Sequence, residues 1–104
     1  MPPGSLAMLV LRVLHAGPLH GYAIAQRIRQ LSGEILEAEE GSLYPALQRM
    51  LMEGWVTAEW GVSETKRRVR FYTVTRDGLA QLKLEVNEYE QVTAAIQAIL
   101  NAAT

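Results

Sequence analysis

The chain contains no cysteine, only one phenylalanine and two histidines, and a net charge of only -1 across 104 residues. Without cysteine there are no disulfides, no thiolate nucleophile and no thiolate zinc site, which suits a reducing, cytoplasmic setting. With His15 and His20 as the only imidazoles, five apart across Gly17-Pro18 and without a nearby carboxylate, neither a metal centre nor general acid–base catalysis is expected. Neither GxGxxG nor GxxxxGK[ST] occurs, so no phosphate-cradling glycine loop is present. Ser42 lacks the strand-to-helix elbow of a hydrolase nucleophile. The reading is a non-enzymatic chain with no cofactor. The longest apolar run near the start, SLAMLVL at 5–11, falls far short of the roughly 20 residues of a membrane span. It also lacks the basic leader and cleavage site of a signal peptide, so it reads as a buried helix face.

What is present is enough apolar content, 49%, for one small core. Helical spacing predicts a first helix over about 4–16, with Leu6, Leu9, Val10, Val13 and Leu14 on one face. Gly17-Pro18 stops it. A second helix is predicted over 21–32, with Tyr22, Ile24, Ala25, Ile28 and Leu31 as its stripe and Gly33 as its cap. An acidic connection at 34–41 follows, long enough for helix 2 to continue irregularly through Ile35 and Leu36. A third helix is predicted over 42–53, with Ser42 as N-cap, Pro45 in the first turn, Leu43, Leu47, Met50 and Leu51 inward, and Gly54 as its stop. WVTAEW (55–60) and KRRVRFYTV (66–74) have strand composition and read as a hairpin joined by 61–65. Thr75 then caps a last helix over 76–102, with Asp77 in its first turn. The expected fold is mainly α with a small β-hairpin: a winged helix-turn-helix domain over 1–75 and a C-terminal dimerisation helix over 76–104.

The last helix carries Leu79, Leu82, Val86, Tyr89, Thr93, Ile96, Leu100 and Ala103 at alternating spacings of three and four, a heptad seam. Val92 and Ile99 widen it. A helix of that length runs about 40 Å, longer than the core available to it, so burial in a second copy of the chain is expected. Packing back along its own domain is the bland alternative.

Charge is unevenly placed. Residues 66–76 hold Lys66, Arg67, Arg68, Arg70 and Arg76 with no acid, a local +5. A basic hairpin of this kind suits a phosphate backbone; the plain reading is a solvated strand face that resists edge pairing. The third helix adds Ser42, Tyr44, Gln48 and Arg49. Hydroxyls suit phosphates, glutamine pairs with adenine and arginine with guanine in the major groove. Helix, helix, basic hairpin is the winged helix-turn-helix order. Trp55 and Trp60 read as anchors of the hairpin on the core. With Tyr89 they offer flat aromatic surfaces for an apolar ligand, which keeps open a second class: a protein- or ligand-binding winged helix without specific DNA binding.

Three blocks, PLHGYAIAQRI (18–28), EEGSLYPALQRMLMEGWV (39–56) and RRVRFYTVTRDGLAQL (67–82), resemble the signature blocks of PadR-type transcriptional regulators, in the same order and with similar spacing. The resemblance implies a repressor that dimerises through its last helix and binds a pseudo-palindromic double-stranded DNA operator. It implies that helix 42–53 enters the major groove and the wing touches the backbone or minor groove. Carried over by position, the contacts are Ser42, Tyr44 and the wing residues, with Tyr22 beside them; Gln48 and Arg49 come from helical geometry. It also implies release by a small aromatic or drug-like effector, although no dedicated ligand pocket is legible in the sequence.

Overall fold

The computed structural model describes residues 5–103. The predicted start of helix 1 at residue 4 lies outside them. The order is α1 (Ser5–His15), β1 (Leu19–His20), α2 (Gly21–Leu31), α3 (Glu40–Met52), β2 (Val56–Val62), β3 (Arg68–Val74) and α4 (Arg76–Leu100). Four helices and a three-stranded antiparallel sheet result, with strand order β1-β3-β2.

The core forms where α1, α2, α3 and the base of the hairpin converge. Val10, Leu11 and Leu14 of α1 meet Ile24 and Ile28 of α2, Leu43, Leu47 and Met50 of α3, and Val56 and Tyr72 of the hairpin. Leu11 is fully buried although the predicted stripe omitted it. The stripe of α2 is narrower than predicted: Ile24 and Ile28 are buried, whereas Tyr22 and Leu31 are exposed.

The helix ends follow local chemistry. At Gly33 (φ 63°) the Glu34 N–H donates to the Arg29 carbonyl at 2.8 Å and the Gly33 N–H to that of Gln30 at 3.2 Å. Gly54 (φ 75°) repeats the pattern after α3, with Trp55 N–H on Met50 and Gly54 N–H on Leu51. Both are the left-handed closure that glycine favours. Helix 2 therefore ends at Leu31 and does not continue through Ile35 and Leu36. The chain instead turns, with Leu36 N–H on the Ser32 hydroxyl at 2.9 Å.

Two further expectations are corrected, and one element is new. First, α3 starts at Glu40, not Ser42. Glu39 occupies the cap without a side-chain bond, and Ser42 lies in the first turn. Glu40 beside the positive end of the helix dipole favours the earlier start. Pro45 then sits inside the helix, where its missing N–H leaves the Gly41 carbonyl without its usual donor. Both residues are solvent-exposed, so water reaches that carbonyl. Second, β2 runs on to Val62 and β3 begins only at Arg68, so the connection is 63–67 rather than 61–65. Gly61 is a strand residue: a Cβ there would lie 2.8 Å from the Phe71 ring. The new element is β1, a two-residue strand that pairs Leu19 with Tyr72 and His20 with Phe71, too short to leave a periodic signal in the sequence. Smaller differences are α4 ending at Leu100 and α1 at His15.

The long helix α4 starts at Thr75, whose hydroxyl accepts from Gly78 N–H at 3.0 Å and donates to the Gly54 carbonyl at 2.6 Å. Its first turns pack on α1 and bury Leu82, with Leu79 and Val86 half-buried. Beyond Val86 only Thr93 is half-buried; Tyr89, Val92, Ile96, Ile99 and Leu100 are all exposed. The described chain measures 59 × 28 × 23 Å as a result.

Candidate nucleic-acid interface

Two elements present the predicted residues. On α3, three turns of helix place Leu43, Leu47 and Met50 in the core and leave Ser42, Tyr44, Gln48 and Arg49 outside. Ser42 makes no side-chain hydrogen bond to a described residue. Gln48 faces solvent. Arg49 lies on the flank towards α4 and lines a cleft of about 200 Å³ with Ala7, Ala46, Met50, Trp55 and Glu85. Burial raises the Glu85 carboxyl above its ordinary value, and Glu88 adds to this, while Gln81 and the Arg49 charge oppose it. One Glu85 carboxylate oxygen is buried without a partner.

Tyr44 lies across the start of α2. A Cβ at Gly21 would come within 2.8 Å of the Tyr44 hydroxyl, so the close approach depends on glycine. From there an aromatic series continues towards the wing. Tyr22 stacks on His20, ring centroids 6.5 Å apart and planes 7° from parallel. His20 meets Phe71 edge-on at 5.6 Å, and Phe71 covers Gly61 across the hairpin. Tyr22 is itself steadied by Gln26, whose Nε2 donates to its hydroxyl at 3.3 Å. Gly21, His20 and β1 thus connect α3, α2 and the wing. The signal for them lay in the HGY triplet at 20–22, but periodicity says nothing about a two-residue strand.

The wing carries the predicted cations. Residues 63–67 close the hairpin, with Lys66 N–H on the Ser63 carbonyl at 2.9 Å, Ser63 N–H on that of Arg67 at 2.8 Å and Lys66 left-handed (φ 61°). Lys66, Arg67 and Arg68 are exposed and Arg70 is half-buried. Among the described residues the only ion pair joins Arg29 to Glu34 at 3.9 Å, so none of the wing cations is neutralised by a carboxylate. Trp55 packs against the core as expected. Trp60 does not: it is 61% exposed because the hairpin extends past the helices before position 60.

Among the described residues no three His, Asp or Glu side chains gather as a metal site, and no helix is long and apolar enough to cross a membrane.

The chain is similar to known proteins over most of its length. The model of the transcriptional regulator PadR-like family matches residues 10–84. A curated relative, the negative transcriptional regulator PadR of Bacillus subtilis, is 30% identical over 77 residues. The match takes in 74% of this chain but only 42% of that relative, so the chain spans less than half of its length. A transcriptional regulator from Clostridium thermocellum superposes with a TM-score of 0.82 at 30% identity, covering 90% of this chain and 91% of that one. A PadR family transcriptional regulator from Eggerthella lenta gives 0.79 at 27% identity, covering 96% and 85%.

Proposed function

The chain belongs to the PadR-like family of transcriptional regulators, and from that premise we propose that it is a cytoplasmic repressor binding a pseudo-palindromic DNA operator as a homodimer. Residues 1–75 form the DNA-binding unit in this reading, and 76–104 the dimerisation helix. The observation that carries it is the wing: four cations at 66–70 without a carboxylate partner among the described residues, linked through Phe71, His20 and Gly21 to Tyr44 on the exposed side of α3. Unpaired cations on a projecting hairpin match the charge of a phosphate backbone, and a short exposed helix fits the major groove. Ser42, Tyr44, Gln48, Lys66, Arg67, Arg68 and Arg70 are the contacts, with Tyr22 at their edge. Arg49, exposed on the flank of α3 beside Glu85, joins them. Repression is the role named for the Bacillus subtilis relative.

The dimer reading rests on the far half of α4. Tyr89, Ile96 and Leu100 continue the seam of Leu79, Leu82, Val86 and Thr93 but have no cover within the chain. A parallel or antiparallel copy of the same helix would bury them. The Ile96→Glu variant is therefore expected to sediment as a monomer at about 100 µM, where the unaltered chain sediments at twice the monomer mass, since a carboxylate on the seam costs several kcal/mol to bury. Its affinity for duplex DNA should fall more than about tenfold, because two linked wings bind better than one. An unaltered chain that is monomeric at that concentration contradicts the dimer reading.

A small aromatic effector would act through the cleft between α3 and α4, because Arg49 and Met50 belong to one helix and Glu85 to the other. An occupant there changes Trp55 emission, and an effector that releases DNA without altering Trp55 emission contradicts this placement.

A further inference from the structure

On the face of the wing that continues the core, Trp60 lies directly across from Arg70, and Val62 across from Arg68. The indole therefore has one arginine opposite and one on the diagonal, both within reach of a large ring. The Arg68 guanidinium carbon lies 4.8 Å from the Trp60 ring centroid and that of Arg70 5.8 Å. Arg70 also lies 6.0 Å from the ring of Tyr72. The Arg70 Nε is buried and has no hydrogen-bond partner. Strand alternation puts Glu59 on the opposite face with Phe71, so no strand carboxylate shares this face. Trp60 is also mostly uncovered, so it adds little to the core.

We propose that Trp60 is a positioning residue that holds the Arg68 and Arg70 guanidinium groups against its ring, so that their free nitrogens grip successive phosphates of one nucleic-acid strand. The inference rests on the nucleic-acid reading above and adds a residue to it. Tryptophan has the strongest ring quadrupole for a guanidinium face. A stacked guanidinium still has its in-plane N–H groups available for phosphate oxygens. Two flexible side chains are thus ordered before the ligand arrives, and less freedom is lost on binding.

The test uses the full chain and a labelled mixed-sequence duplex of about 30 base pairs at about 50 mM salt, where phosphate contacts dominate affinity. Trp60→Leu is expected to weaken binding about fivefold and Trp60→Phe less than about twofold, the range of an exposed cation–ring contact. In a chain already carrying Arg68→Ala and Arg70→Ala, Trp60→Leu should change affinity less than about twofold, because tryptophan acts only through those arginines. Without DNA, the Arg68 and Arg70 side-chain methylene protons should be shifted upfield by the indole and return on Trp60→Leu. Equal losses in both backgrounds, or unshifted arginine resonances beside normal duplex binding, overturn this inference alone. A chain that does not bind the duplex overturns the nucleic-acid reading and this one together.

Discussion

Replacing Gly78 with alanine is expected to destabilise the fold by about 3 kcal/mol, the upper range for forcing an atom into packed structure. Helix propensity points the other way, since glycine to alanine inside a helix ordinarily gains about 1 kcal/mol. Packing decides the sign. The added Cβ would overlap the Trp55 carbonyl oxygen and come within 2.8 Å of Val74 Cγ2. That carbonyl is not free to retreat, because it accepts the Thr75 N–H at 2.9 Å, and Thr75 in turn caps α4 and holds the Gly54 carbonyl. The close approach lets α4 start against the turn that ends α3. In thermal unfolding, Gly78→Ala should lower the midpoint by roughly 10–20 °C. Gly41→Ala is the matched control: it is helical, has nothing within 4 Å of its Cβ position, and should hold or raise the midpoint. An unchanged midpoint for Gly78→Ala would show that α4 does not dock on Trp55 as described.

Reversing two wing charges, Arg67→Glu with Arg68→Glu, should abolish measurable duplex binding or weaken it more than about a hundredfold at moderate salt. Each lost phosphate contact removes nearly one unit from the slope of log affinity against log salt, and a two-winged dimer loses four at once. The new carboxylates also repel phosphate. Both side chains are exposed and lie beyond the core, so stability should change by less than about 1 kcal/mol. Circular dichroism and the unfolding midpoint separate this loss from misfolding. Full retention of binding would exclude the wing as the contact surface and return weight to the solvated-strand reading of its charge.

Features decided by a few adjacent residues were legible in the sequence. Gly33, Gly54 and Thr75 close or cap their helices as expected, because capping is a matter of one hydroxyl or one left-handed residue. The family blocks and the fold class were legible too, and the family model covers residues 10–84. Features decided by distant packing were not. Nor was one local choice: Ser42 is the better cap residue in isolation, yet α3 begins two positions earlier, with Glu40 at the positive end of the helix dipole. Strand β1 exists only because His20 and Leu19 find β3, more than fifty positions away. Trp60 has the composition of an anchor, but its exposure depends on how far the hairpin projects past the helices. Arg49 is exposed as helical spacing predicts, but the course of α4, which places Glu85 on its flank, is not readable from that spacing. Within the site, the outward direction of Ser42, Tyr44, Gln48 and Arg49 was readable from helical spacing, whereas that of Trp60 was not.

An uncompensated basic wing, paired in a dimer, is proposed to meet duplex DNA. The net charge of -1 makes this a demanding claim, since the whole chain has no excess of positive charge to attract DNA. Titrating salt against binding of the unaltered chain to a mixed-sequence duplex tests it most directly. Three to four phosphate contacts on each of two wings predict a slope of about -5 to -7 in log affinity against log salt. A slope near zero, or no binding at about 50 mM salt, where phosphate contacts are strongest, would contradict it.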